Sequence, residues 1–112
     1  MKKGINMNKF LWGASTSGFQ VEGGYNLGGK GLSTTDVRHV KEGIADTKVA
    51  SDHYHHFKED ILLMKELGLK AYRFSFCWAR IMPDGHHVNQ EGLEFYDQII
   101  QLCLENDIEP IP

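Results

Sequence analysis

Two stretches of the chain carry a helical period. From about Ser51 to Leu67, Tyr54, Phe57, Ile61 and Met64 recur at helical spacing while Lys58, Glu59, Lys65 and Glu66 fall on the opposite side. Gly68 follows as a C-terminal stop, because glycine accepts the left-handed conformation that ends a helix. The second period begins after Asn89, a good N-cap, with Glu91 in the favourable first turn. It puts Leu93, Tyr96, Ile100 and Cys103 on one face and stops near Asn106. Between the two, Ala71 to Trp78 alternates as a strand does: Tyr72, Phe74, Phe76 and Trp78 on one side, Ala71, Arg73, Ser75 and Cys77 on the other. Pro83-Asp84-Gly85 then marks a turn. Near the start, the apolar run Phe10-Leu11-Trp12 opens into small residues from Gly13 to Gly18, a strand that ends in a pocket. Ile108 to Pro112 reads as the beginning of a third strand.

The resulting order is strand, long loop from Gly23 to Ala50, helix, strand, helix, strand. Strands alternating with helices imply parallel βαβ units and an α/β fold. On the second strand the aromatic side must pack against helices, which turns Arg73 toward the interior of the sheet's other face. Burying an arginine costs several kcal/mol, on the scale found for buried ions, unless a carboxylate and further hydrogen bonds compensate. Arg73 therefore needs an acidic partner, and within the chain only Glu22 suggests itself; the alternative is a structural arginine reaching the surface from a strand end. Gln20, just past the first strand, offers a donor and an acceptor to one small polar ligand such as a pair of sugar hydroxyls. Its plainer reading is a loop glutamine tying down backbone.

Composition narrows the classes. Hydrophobic content of 41% and charged content of 24% are those of an ordinary globular protein. A net charge of −3 gives no basic footprint, so nucleic acid is not an expected partner. No stretch approaches the roughly 18 apolar residues of a membrane span, and MKKGINMNKF has no apolar core after its lysines, so no leader is expected. Cys77 and Cys103 read as small buried hydrophobes in a reducing compartment, and a cytoplasmic location follows.

Two motifs fall short of their chemistry. Asp52-His53-Tyr54-His55-His56 clusters imidazoles, but structural zinc wants four ligands and the cysteines lie far away in sequence; a polar helix N-terminus is the expected reading, and His86-His87 a solvated turn. Gly24 to Gly31 nearly spells a phosphate-binding loop, yet Gly31 stands where a serine or threonine would hold Mg2+, and the strand ends too early.

The segment FLWGASTSGFQVEGG, Phe10 to Gly24, with Asp52 to Gly85 and Gly92-Leu93-Glu94-Phe95-Tyr96, resembles the N-terminal part of glycoside hydrolase family 1, the β-glucosidases and 6-phospho-β-glucosidases. The resemblance implies a (β/α)8 barrel, which needs roughly 250 residues. The 112 residues would then be one incomplete domain: the first two βα units and the start of the third strand. It further implies that Gln20 binds the glycone sugar and that Arg73 contacts a nucleophile glutamate supplied by a later strand. Retaining glycosidases use two carboxylates; in the family these sit in Asn-Glu-Pro and Glu-Asn-Gly contexts, and neither occurs here, so no catalytic residue is expected within the chain. The wording of Gly29 to Val37 resembles bacterial 6-phospho-β-glucosidases. The expected partners are a β-glucoside or 6-phospho-β-glucoside and the remainder of the barrel, or self-association through open sheet edges; no cofactor or metal is expected. The alternative function is a non-catalytic remnant or a sugar-binding or assembly fragment. A complete flavodoxin-like domain is disfavoured by the number of strands.

Overall fold

The computed structural model describes residues 10–112. The reading of the opening residues as lacking a leader therefore falls largely outside the described residues. The elements run β1 (Gly13–Ser15), α1 (Gly18–Val21), α2 (His53–Glu66), β2 (Ala71–Arg73), α3 (Trp78–Ile81), α4 (Gln90–Glu105) and β3 (Glu109–Ile111). The strands form one parallel sheet in the order β1-β2-β3. Its register places Ser15 beside Arg73 and Arg73 beside Ile111. The long connection from Gly23 to Ala50 holds neither helix nor strand, as its lack of periodicity predicts.

Helix α2 follows its pattern: Phe57 and Ile61 are buried, and Tyr54 and Met64 pack against the same core. It ends at Leu67, with Gly68 at φ +81°, and the Leu69 amide turns back to the Met64 carbonyl. Helix α4 starts after Asn89 and stops at Asn106, but its buried face is Gly92, Phe95, Tyr96, Ile99 and Cys103. The expected stripe is therefore rotated: Leu93 is 39% exposed and Ile100 lies at the margin. The reason is contact with α3. A side chain at Gly92 would collide with the Arg80 carbonyl, so this glycine, not Leu93, faces the neighbouring helix.

The core joins these helices to Tyr72, Phe74 and Ile108, with Phe57 meeting Phe95 edge-on at 5.4 Å and Tyr72 stacked on Phe74 at 5.2 Å. Aromatic pairs in such geometries add about 0.5–1.5 kcal/mol each beyond their buried area.

Both strand expectations need correction. The first strand is formed by the small residues Gly13–Ser15, while Phe10, Leu11 and Trp12 precede it and are 49%, 51% and 66% exposed. Close approach explains the choice, since a Cβ at Gly13 would meet the Ala71 carbonyl of the paired strand. The second strand pairs only over Ala71–Arg73, and Trp78 begins a helix. Beyond Phe74, whose amide reaches the Ile111 carbonyl, the backbone leaves the sheet. The Cys77 amide donates instead to the Tyr96 hydroxyl, and the Cys77 carbonyl accepts from the Arg80 amide to start α3. Alternation of burial consequently holds only from Tyr72 to Ser75: Ala71, on the face of Arg73, is buried as Tyr72 is, and beyond Ser75 Phe76 and Trp78 are 43% and 64% exposed.

Candidate functional site

The carboxyl ends of β1 and β2 lie side by side, and the candidate residues gather there. Arg73, the last residue of β2, is exposed on the sheet face opposite Tyr72 and Phe74, between Ser15 and Ile111. Gln20 is also exposed. It lies on the short helix α1 rather than in a loop, so the strand-then-pocket picture needs this added turn. Among the described residues neither side chain makes a hydrogen bond, and nothing joins the two directly.

What holds α1 is a buried cluster centred on Glu22. Its carboxylate accepts from the Tyr96 hydroxyl through one oxygen and faces Arg80 Nε at 3.4 Å through the other. Glu22 is thus paired with Arg80, not with Arg73. Arg80 is fully buried, and its guanidinium also donates to the Leu27 carbonyl at 3.3 Å and the Gly23 carbonyl at 3.2 Å. The rings of Tyr54 and Phe95 lie 4.4 Å and 5.4 Å from its carbon. Spreading the charge over a carboxylate, carbonyls and aromatic faces is how such an ion avoids the full desolvation cost. Burial foremost, then the Glu22 carboxylate, push the Tyr96 phenol far above its ordinary pKa, so it stays protonated and donates.

Further bonds fix the surroundings. The Gly18 amide donates to Ser75 Oγ at 2.8 Å, tying the start of α1 to the segment after β2. The Tyr54 amide donates to the Glu22 carbonyl at 2.8 Å. Asn89, expected to cap α4 with its side chain, instead donates to the Gly28 and Arg80 carbonyls at 2.7 and 2.9 Å. Sequence reasoning singled out Glu22 but missed its partner. The available signal was an arginine inside the otherwise apolar run Cys77-Trp78-Ala79-Arg80-Ile81-Met82.

The glycine-rich stretch is no phosphate cradle. Lys30 is nearly buried, 2.5 Å from Asp36, and its Nζ also donates to the Tyr25 and Gly31 carbonyls. Asp36 in turn accepts from the Ser33 amide and hydroxyl, each at 2.7 Å. The residues that follow the clasp border an open cleft of about 390 Å³, together with Phe19: Arg38, His39, Lys41, Ile44 and Thr47. The histidines behave as a helix start: His55 pairs with Asp52 and His53 Nδ1 with Asp60 at 2.6 Å, and no group among the described residues could hold a metal ion. His53 Nε2 is buried without a hydrogen-bond partner among the described residues. His87 caps an exposed turn with Asp84. Both cysteines are free, Cys103 buried and Cys77 partly so; burial raises the Cys103 thiol to about 11, which keeps it protonated and inert. No helix among the described residues is long and apolar enough to cross a membrane.

The profile of glycosyl hydrolase family 1 matches residues 3–112, and the chain belongs to that family. It is 50% identical over 106 residues to Beta-glucosidase A of Acetivibrio thermocellus, covering 90% of this chain and 24% of that protein. Aryl-phospho-beta-D-glucosidase BglC of Bacillus subtilis is 47% identical over 107 residues, covering 91% and 22%. Among solved structures, psychrophilic beta-glucosidase BglU from Micrococcus antarcticus matches with a TM-score of 0.84 at 48% identity, covering 90% of this chain and 22% of that one. Virulence factor SghA in complex with its substrate analog salicin gives 0.83 at 39%, covering 90% and 23%. The chain spans about a fifth to a quarter of the length of the curated relatives it matches. These structural neighbours are family 1 glycosidases, which are TIM barrels, and the three-stranded parallel sheet corresponds to part of that architecture.

Proposed function

We propose that these 112 residues form the first two βα units and the start of the third strand of a (β/α)8 barrel that hydrolyses β-glucosides with retention, its substrates being 6-phospho-β-glucosides inside the cell. In this reading Gln20 holds the glycone. Arg73 orients and keeps ionised a nucleophile glutamate delivered by a later strand, while a second glutamate acts first as acid and then as base. The observation that carries the reading is the placement of Arg73: exposed on the face not covered by α2 and α4, at the carboxyl end of a parallel strand, where barrel active sites are built.

No carboxylate of the chain is cast as catalyst. Glu22 is buried and spent on Arg80 and Tyr96, and two carboxyl groups about 5–5.5 Å apart across a sugar are required. The isolated 112-residue polypeptide is therefore expected to leave aryl β-glucosides untouched, and turnover by the purified piece would overturn this division of labour.

The phosphate preference rests on the loop from Gly29 to Val37 and on likeness to the aryl-phospho relative. Lys30 is committed to Asp36, so the group that grips a 6-phosphate lies elsewhere in the complete polypeptide. Comparing kcat/KM on phosphorylated and plain aryl glucosides with that polypeptide tests it: the phosphorylated substrate should win, and equal or reversed preference rejects the phosphate reading while leaving β-glycoside hydrolysis standing.

A further inference from the structure

Gln20 sits on a helix of four residues, too short to hold its own position. Its direction must be imposed from outside. Within this turn Gly18 and, at its end, Glu22 are buried while Phe19 and Gln20 are exposed, so one side of a single helical turn is anchored and the other presents the amide. The anchor on the buried side is a charge. Glu22, two residues after Gln20, ties α1 to α3 through Arg80 and to α4 through Tyr96, while its carbonyl accepts from the first turn of α2. Arg80 repeats the grip on the carbonyls of Gly23, Gly24 and Leu27, which continue the chain from α1. Tyr96 in turn receives the Cys77 amide, just where the backbone leaves β2.

We propose that Glu22, held by Arg80 and Tyr96, is the positioning residue for Gln20, setting the amide's place in the glycone subsite without touching the sugar. The inference rests on the sugar-binding role given to Gln20 above. A neutral or displaced side chain at position 22 would release the turn, and Gln20 would meet substrate with its amide shifted; misplacement by about 1 Å is enough to cost large factors in rate.

A double-mutant cycle on the complete polypeptide decides the matter, using Gln20→Ala, Glu22→Gln and the double variant, with kcat and KM on an aryl β-glucoside and thermal midpoints for each. Glu22→Gln is expected to lower kcat/KM on the order of tenfold alone and less than about twofold in the Gln20→Ala background, because what it perturbs is already gone. Tyr96→Phe, which removes one bond to Glu22 along with the acceptor of the Cys77 amide and retains the ring, should show the same non-additivity and serves if Glu22→Gln fails to fold. Equal factors in both backgrounds, or no loss from either variant alone, overturn the positioning role while leaving Gln20 as a sugar ligand. If instead Gln20→Ala leaves kcat/KM unchanged, the sugar-binding assignment fails first and the positioning role falls with it.

Discussion

Lys30 and Asp36 illustrate how a residue's environment reassigns its apparent purpose. A lysine after paired glycines suggests a phosphate grip, yet the ammonium is enclosed by an aspartate and two carbonyls. Burial pushes the Asp36 carboxyl up, but the hydrogen bonds from Lys30 and Ser33 outweigh it, and its pKa ends below the usual value near 3.8. A depressed carboxylate contributes stability above its unfolded pKa and loses it as pH falls through the folded value. The stability difference between wild type and Asp36→Asn should therefore be steady at neutral pH and shrink below about pH 3.8 in acid melts; a difference that grows in acid would refute the sign. For Arg73, replacement by methionine removes a cation from beside the proposed nucleophile, which raises that carboxylate's pKa. The acidic limb of the kcat/KM profile should move to higher pH, and an unmoved limb would detach Arg73 from the nucleophile. Gln20 and Arg73 could be proposed from the chain alone because each interrupts its local pattern in a known motif. Arg80 interrupts an apolar run and so was open to suspicion, but nothing in its spacing says which of several carbonyls and rings will surround it.

At the level of elements, the sequence was readable where one element's own period decides its fate. Helix α2 buries the face its spacing implies, so Ile61→Ala should cost about 2–5 kcal/mol in unfolding midpoint measurements, as for other fully enclosed aliphatic residues. Leu93→Ala, at a position expected inside but 39% exposed, should cost less than Ile61→Ala, under about 1 kcal/mol. Loss of comparable size at both sites would restore the stripe read from the sequence. The misplacements share one cause. Where strand β1 starts, how α4 is turned and where β2 ends are set by close approaches between elements, at Gly13 against Ala71, Gly92 against Arg80 and Cys77 against Tyr96. Such contacts are properties of pairs, and periodicity within one segment carries no record of them.

For the molecule as a whole, the sheet's two parallel pairings differ in what lies between them. From Gly13 to Ala71 the chain crosses 58 positions, and from Ala71 to Glu109 it crosses 38. The difference in closure entropy is only about 0.4 kcal/mol, too small to order events by itself. The apolar payload is not equal, however: the second crossover brings Phe95, Tyr96, Ile99, Cys103 and Ile108 into the core, while the first brings Phe57 and Ile61 of α2, its stretch from 23 to 50 having only Gly23 and Gly24 buried. Docking of β2, α4 and β3 is thus rewarded early, whereas β1 gains most of its hold only when Glu22 meets Arg80. Amide hydrogens around Gly18 and Glu22 should accordingly exchange faster than those of α4, the turn that carries Gln20 being the last part to close and the first to breathe.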